Sequence, residues 1–295
     1  MFVADVVAPR MVGYILRSPL RMATELPIYH HAAQGMIDYL ARQHVRTVYL
    51  GAEGDLVASE LRDFLHRHQQ VLGLVCMGAI KEDFANEIAT CGKPIAFVAA
   101  SPPGLWNSVM SNYLQAGEFL VDHLYQNGHR NFGWIGNRFN SASLARHKNA
   151  FVRALSARGL RLESANEVDM AEGHRQDGNA AARLLLARGR QGPTAVVCFN
   201  AMMARATINV AFQRGMRVPQ DLSVAAIDMT QVCVEEEPFI TSASALPEAL
   251  GSRAAELVLT HGSKAEKGLC EVVLPSRLVV RDSTGPAPEK SKRSK

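Results

Sequence analysis

The chain has 295 residues, 47% of them hydrophobic and 20% charged, enough apolar material for one large or two ordinary domains and too much for a disordered chain. No run of about 18 apolar residues occurs, and the opening MFVADVVAPR has neither the basic front nor the apolar stretch of a secretory signal, so the chain is expected to stay in the cytoplasm, away from the membrane. The net charge is +4, but Glu289–Lys295 (EKSKRSK) holds four bases and one acid, which predicts a nearly neutral body and a solvated basic end, with non-specific phosphate attraction as the other reading.

Apolar runs alternate with amphipathic segments along most of the chain, the pattern of strands buried on both faces and joined by helices. In chain order, strands are expected at 11–16, 45–50, 71–77, 95–99, 132–135, 195–199 and 223–227. Helices are expected at 28–42, 55–66, 83–90, 113–126, 143–158, 177–187 and 201–213. Gly128, Gly159, Gly189 and Gly215 stand where a residue after the last helical turn takes a left-handed conformation. The alternation predicts doubly wound parallel sheets, with ligands at the carboxyl ends of the strands. Five cysteines with wide spacing and no C-x-x-C pair point to reduced thiols, neither a disulfide framework nor a zinc site. The chain carries no G-x-S-x-G elbow, no P-loop, no H-E-x-x-H and no G-x-G-x-x-G after a strand, so neither an enzyme nor a cofactor site is expected. His30 with His31, and His66 with His68, do not share a helix face, which argues against metal ligation.

One block is more specific than these patterns. Between Gly215 and Ala243 lie Gly215, Val218, Pro219, Asp221, Leu222, Ser223, Val224, Asp228, Pro238, Ile240 and Thr241, at the spacings of a helix exit, a strand entry and a crossover in the LacI/GalR transcription regulators. SVMSNY at Ser108–Tyr113 and DHLYQNGHRNFGWIGN at Asp122–Asn137 extend the resemblance, which covers about 11–281. It implies a type I periplasmic-binding-protein-like core: two Rossmann-like, doubly wound parallel-sheet subdomains joined by three crossovers, with an effector in the cleft. The expected division is 10–128 plus 242–269, then 129–241 plus 270–283, with 284–295 as a disordered tail. The family's helix-turn-helix headpiece does not fit in the twelve residues before Gly13, so DNA is expected to be reached only through a headpiece outside this sequence.

The resemblance also suggests effector contacts. Asp228 stands where the family places an acid that accepts hydrogen bonds from ligand hydroxyls, the alternative being a helix cap. Asn200 takes the Asn of ND-x-x-A, followed here by Ala201, and a cap explains it equally well. Asn112 replaces the usual Asp of SV-x-x-DN and is followed by Tyr113. Counting back four from Phe151 puts His147 where the family has a ligand-gripping Arg, with Arg146 beside it and about 100° away around the helix. Tyr29 in PIYHHAAQG and Arg17 after the first strand complete the set. The implied function is the effector-binding and dimerisation core of a regulator that senses a sugar-like metabolite as a homodimer. The alternatives are a solute-binding protein of a sugar transporter, or an orphan ligand-binding module acting through protein contacts.

Overall fold

The structure, a computed structural model, describes residues 9–17, 27–100, 107–138, 142–261 and 270–289. In chain order its elements are β1 (Met11–Leu16), α1 (Pro27–Arg42), β2 (Arg46–Ala52), α2 (Ala58–Arg67), β3 (Val71–Met77), α3 (Glu82–Ala89), β4 (Ile95–Val98) and β5 (Asn107–Ser111). They continue with α4 (Tyr113–Gln126), β6 (Phe132–Asn137), α5 (Ala142–Ala157), β7 (Glu167–Met170), α6 (Arg175–Leu186), β8 (Ala195–Cys198), α7 (Ala201–Gln213) and β9 (Ser223–Ala226). The last are β10 (Thr241–Ser244), α8 (Pro247–Thr260), β11 (Glu271–Leu274) and β12 (Arg277–Val279). Among the described residues no helix is long and apolar enough to cross a membrane.

The chain divides into two compact units, Met1–Met110 with Pro247–Leu274 and Ser111–Leu246 with Pro275–Lys295, and passes between them three times. The first unit holds the sheet β11-β5-β4-β3-β1-β2, parallel at the pairs from β5 through to β2. Ile15, Leu74, Cys76, Ile88 and Phe97 fill its core under α2 and α3. On another side α1 and α8 touch at their backbones. A Cβ on Gly251 would lie 1.8 Å from Ala32 O, and one on Gly35 2.0 Å from Glu248 O. Only glycine fits either position, which explains the Gly that follows Pro27 by eight residues.

The second unit holds the sheet β12-β10-β9-β8-β6-β7, with β12 antiparallel to β10 and the other pairs parallel. Ile135, Leu185, Val196, Cys198, Ile208, Val224 and Ile240 form its core. The four glycines expected to end helices all have positive φ, from 53° at Gly189 to 90° at Gly128.

Three boundaries differ from the expected division. Residues 111–128 and 242–246 belong with the second unit and 270–274 with the first. The reason is packing: α4 lies against α5 and β10, whereas β11 adds to the sheet edge at β5. The expected disordered tail is also corrected in its first part. Ser283, the last residue of the expected second subdomain, is fully buried, and Thr284, the first of the expected tail, is buried too; the Ser283 carbonyl accepts from Val224 N–H at 2.8 Å and its hydroxyl donates to Val224 O at 2.6 Å. Gly285 N–H donates to Ser223 Oγ at 3.1 Å, and Ala287 N–H to Asn127 O at 2.7 Å. His129, the His of the quoted GH pair, is fully buried here, with Nε2 3.0 Å from Gly285 O and Nδ1 3.0 Å from Thr194 Oγ1. Because a carbonyl only accepts, Nε2 carries a proton. Residues 290–295 lie outside the described residues.

Candidate functional site

Parallel strands present all their carboxyl ends on one side, so the residues just after β6, β7, β8 and β9 are gathered there by topology alone. Asn200 follows β8 and opens α7. Its Oδ1 accepts Met203 N–H at 2.9 Å, a cap, and its Nδ2 donates to Gly173 O at 2.8 Å, which ties it to the loop after β7. Asp228 follows β9. One carboxylate oxygen accepts Ala201 N–H at 2.8 Å and the other accepts Thr230 N–H at 2.6 Å. The charge therefore sits at the amino end of α7, where exposed N–H groups and the helix dipole favour an anion. Asn112 is a cap too: Oδ1 accepts Gln115 N–H at 3.1 Å at the start of α4, and its carbonyl accepts from Ser276 Oγ at 2.9 Å.

His147 is buried, and its ring lies between two others, 3.8 Å from the Tyr113 centroid and 4.5 Å from that of Phe199. Arg146 is half-buried one position earlier. His147 packs against Tyr113 of α4 and Phe199 just after β8, and Arg146, rotated about 100°, is the less buried of the pair. Asp228, Asn200, Asn112, His147 and Arg146 all belong to the second unit.

Tyr29 and Arg17 belong to the first unit. Both are buried, and they meet at Gly78, where a Cβ would lie 2.5 Å from Tyr29 Oη and 2.8 Å from Arg17 Cγ. With φ at +92° and no room for a side chain, Gly78 keeps this spot open for the tyrosine and arginine. Burial pushes the Tyr29 phenol above its usual range, and the Arg17 guanidinium, hydrogen-bonded to it, pulls the other way.

Two participants escaped the sequence reading. Phe199 ends an apolar strand pattern, where alternation cannot separate a core ring from one at the strand end. His174 stands at the N-cap position of α6, without a side-chain cap bond, after the short β7, a strand that apolar patterning did not predict. Gly173 would place a Cβ 3.0 Å from Asn200 Nδ2 and 3.6 Å from Asn137 Nδ2, so the ends of β6, β7 and β8 converge within a few ångströms. Among the described residues no group of three or more His, Cys, Asp or Glu is placed to hold a metal ion. Burial pushes the thiols of Cys198 and Cys233 up to about 12, far from a nucleophile's range. What the site offers is hydrogen-bond acceptors and donors beside aromatic faces, the chemistry of ligand recognition.

Residues 121–284 match the model of the periplasmic binding protein-like domain. The chain belongs to that family. Within it, similar proteins are transcription regulators of the LacI type. The HTH-type transcriptional repressor PurR of Aliivibrio salmonicida is 24% identical over 79% of this chain and 70% of its own length. The Maltose regulon regulatory protein MalI of Escherichia coli K12 is 26% identical over 91% and 80%. The transcriptional regulator CelR in its cellobiose complex shares the fold with a TM-score of 0.81 at 21% identity, over 94% of this chain and 86% of that one. The two six-stranded, mostly parallel sheets are those of the periplasmic binding protein-like family, and the chain is the effector-binding part of a LacI-type regulator.

Proposed function

We propose that this domain senses a small, polyhydroxylated, sugar-like effector at the strand carboxyl ends, and that it does so as a homodimer. The observation that supports this best is the joining of the ends of β7, β8 and β9 by Asn200 and Asp228, with His147 in tilted ring contact with Tyr113 and with Phe199, the residue before Asn200. Each Asp228 oxygen uses one lone pair on a backbone N–H, and a carboxylate oxygen has a second. The cap thus aims the carboxylate and leaves it able to accept from a ligand hydroxyl. Phe199, the residue before Asn200 and only partly buried, offers an aromatic ring that suits the apolar face of a sugar. Arg146, half-buried on α5, is the proposed cation of the set. CelR is described as a cellobiose complex, a carbohydrate of this class.

The test is thermal unfolding of the chain with pentoses, hexoses, disaccharides, uronates, sugar phosphates and nucleosides, since a ligand at 100 times its Kd adds about 2.7 kcal/mol to stability. A selective rise in Tm is expected with a neutral carbohydrate. A flat response across the panel overturns the reading. It would favour a module acting through protein contacts, a second reading supported by the finding that Asp228, Asn200 and Asn112 all serve as backbone caps.

A further inference from the structure

Helix α5 carries both Arg146 and His147, and each keeps its place only while rotation of the helix about its axis is fixed. Neighbouring residues lie about 100° apart around that axis, so Arg146 and Lys148 sit on opposite flanks of His147. The ring contacts of His147 with Tyr113 and Phe199 are packing, and apolar burial is non-directional. A charge-assisted hydrogen bond has a direction, and α5 makes one on the flank away from Arg146. Lys148 Nζ donates to Asp169 Oδ2 at 2.6 Å and to the Glu167 carboxylate.

Both acids belong to a wider network. Glu167 and Asp169 are two apart on β7, hence on one face of it, in register with Trp134 and Gly136 of β6. Through its other oxygen, Oδ1, Asp169 accepts from Trp134 Nε1 at 2.9 Å. Trp134 is buried and stacks on Phe151 of α5, the ring centroids 5.5 Å apart. The path from Lys148 through Asp169 and Trp134 to Phe151 thus leaves α5 and rejoins it less than one turn later. A Cβ on Gly136 would strike Trp134 Nε1 and lie 2.7 Å from Asp169 Oδ1, so the glycine makes room for the indole–carboxylate bond. Lys148, Glu167 and Asp169 are all partly exposed, and ion pairs in such places add little to stability. Stability alone therefore does not account for the network.

We propose that Lys148 is a positioning residue of the effector site. Its bond to Asp169 fixes the rotation of α5, which holds His147 against Tyr113 and Phe199 and keeps Arg146 on the less buried flank. Lys148 acts through these two side chains and not on the effector itself. The proposal rests on the reading of α5 as a helix that contacts the effector.

Three variants of the full chain test this. Lys148→Met removes the donor at similar side-chain length, and Lys148→Arg keeps a donor. Arg158→Gln breaks the Arg158–Asp122 pair just past the far end of α5, a matched loss of one ion pair from the same helix. Each is titrated by calorimetry with the carbohydrate found in the thermal panel. Each is also treated with diethyl pyrocarbonate well below its melt, and modification of His147 is followed by peptide mass spectrometry. The melts of all three should stay within about 3 °C of the parent. Lys148→Met should bind the carbohydrate about tenfold more weakly and expose His147 to labelling about tenfold faster. Lys148→Arg and Arg158→Gln should stay within about twofold of the parent in both assays. Unchanged His147 labelling in Lys148→Met overturns the proposal, as does faster labelling with unchanged affinity. Equal losses in Arg158→Gln overturn it too, because the tie would then be one ion pair among others. If Lys148→Met does not fold, Lys148→Gln is read in the same two assays. A panel that yields no ligand defeats the functional reading, whereas the labelling of His147 still decides whether Lys148 fixes α5.

Discussion

Replacing Asp228 by alanine separates two roles that the structure assigns to one carboxylate. It removes the acceptor for Ala201 N–H at 2.8 Å and for Thr230 N–H at 2.6 Å. Loss of a cap costs about 1 kcal/mol, and hydrogen bonds to charged groups contribute about 1.5–3 kcal/mol each. A total of roughly 2–4 kcal/mol follows, and at about 2–4 °C per kcal/mol for a unit of this size the Tm should fall by roughly 5–15 °C. If the carboxylate also accepts from a ligand hydroxyl, calorimetric titration of the variant with the effector found by thermal screening should show at least a tenfold loss of affinity. Asp228→Asn serves as the control, because its amide oxygen can keep one N–H acceptor role and its Tm should fall less. A Tm within about 2 °C of the parent chain would show that the caps do not depend on this carboxylate. A fallen Tm with unchanged affinity would leave Asp228 as a cap alone.

Further outcomes follow from packing and burial. Gly251→Ala places a methyl 1.8 Å from Ala32 O, so α1 and α8 must separate; a loss of about 1–3 kcal/mol by urea denaturation is expected, and an unchanged midpoint would show that the helices are not in backbone contact. Burial holds the imidazoles of His123 and His129 below their ordinary range. The unfolded chain then binds more protons than the folded one below about pH 6.5, so stability should decrease as the pH falls through that region. His129→Gln should flatten part of that dependence in Tm measured from pH 7.5 to 5.5; an identical slope would count against the buried imidazole as its source. Burial pushes the thiols of Cys198 and Cys233 up to about 12, whereas Cys270 is only half-buried. Labelling of the native protein should therefore modify Cys270 first, and fast reaction at Cys198 or Cys233 would contradict their burial.

Much of this fold was legible in local pattern. Buried strands such as Val71–Met77 and Ala195–Cys198 are continuous apolar runs, and Gly128, Gly159 and Gly215 mark helix exits because a positive φ favours glycine. Edge and polar strands were not legible. β7 reads EVDM and β5 reads NSVMS, and what makes them strands is their partners in the sheet, which no local propensity encodes. The types of the site residues came from the sequence, as did the LacI-type spacing around Asp228 and Asn200. Their roles depended on distance. Ala201 and Asp228 are 27 residues apart, and only the parallel alignment of β8 with β9 brings the carboxylate to that N–H. Arg146 and His147 are neighbours in sequence, and the placement of Tyr113 and Phe199 on other elements decided which of them is buried. In the same way Gly285, inside the segment expected as a tail, became part of the second unit because Ser223 and His129 offered it hydrogen bonds.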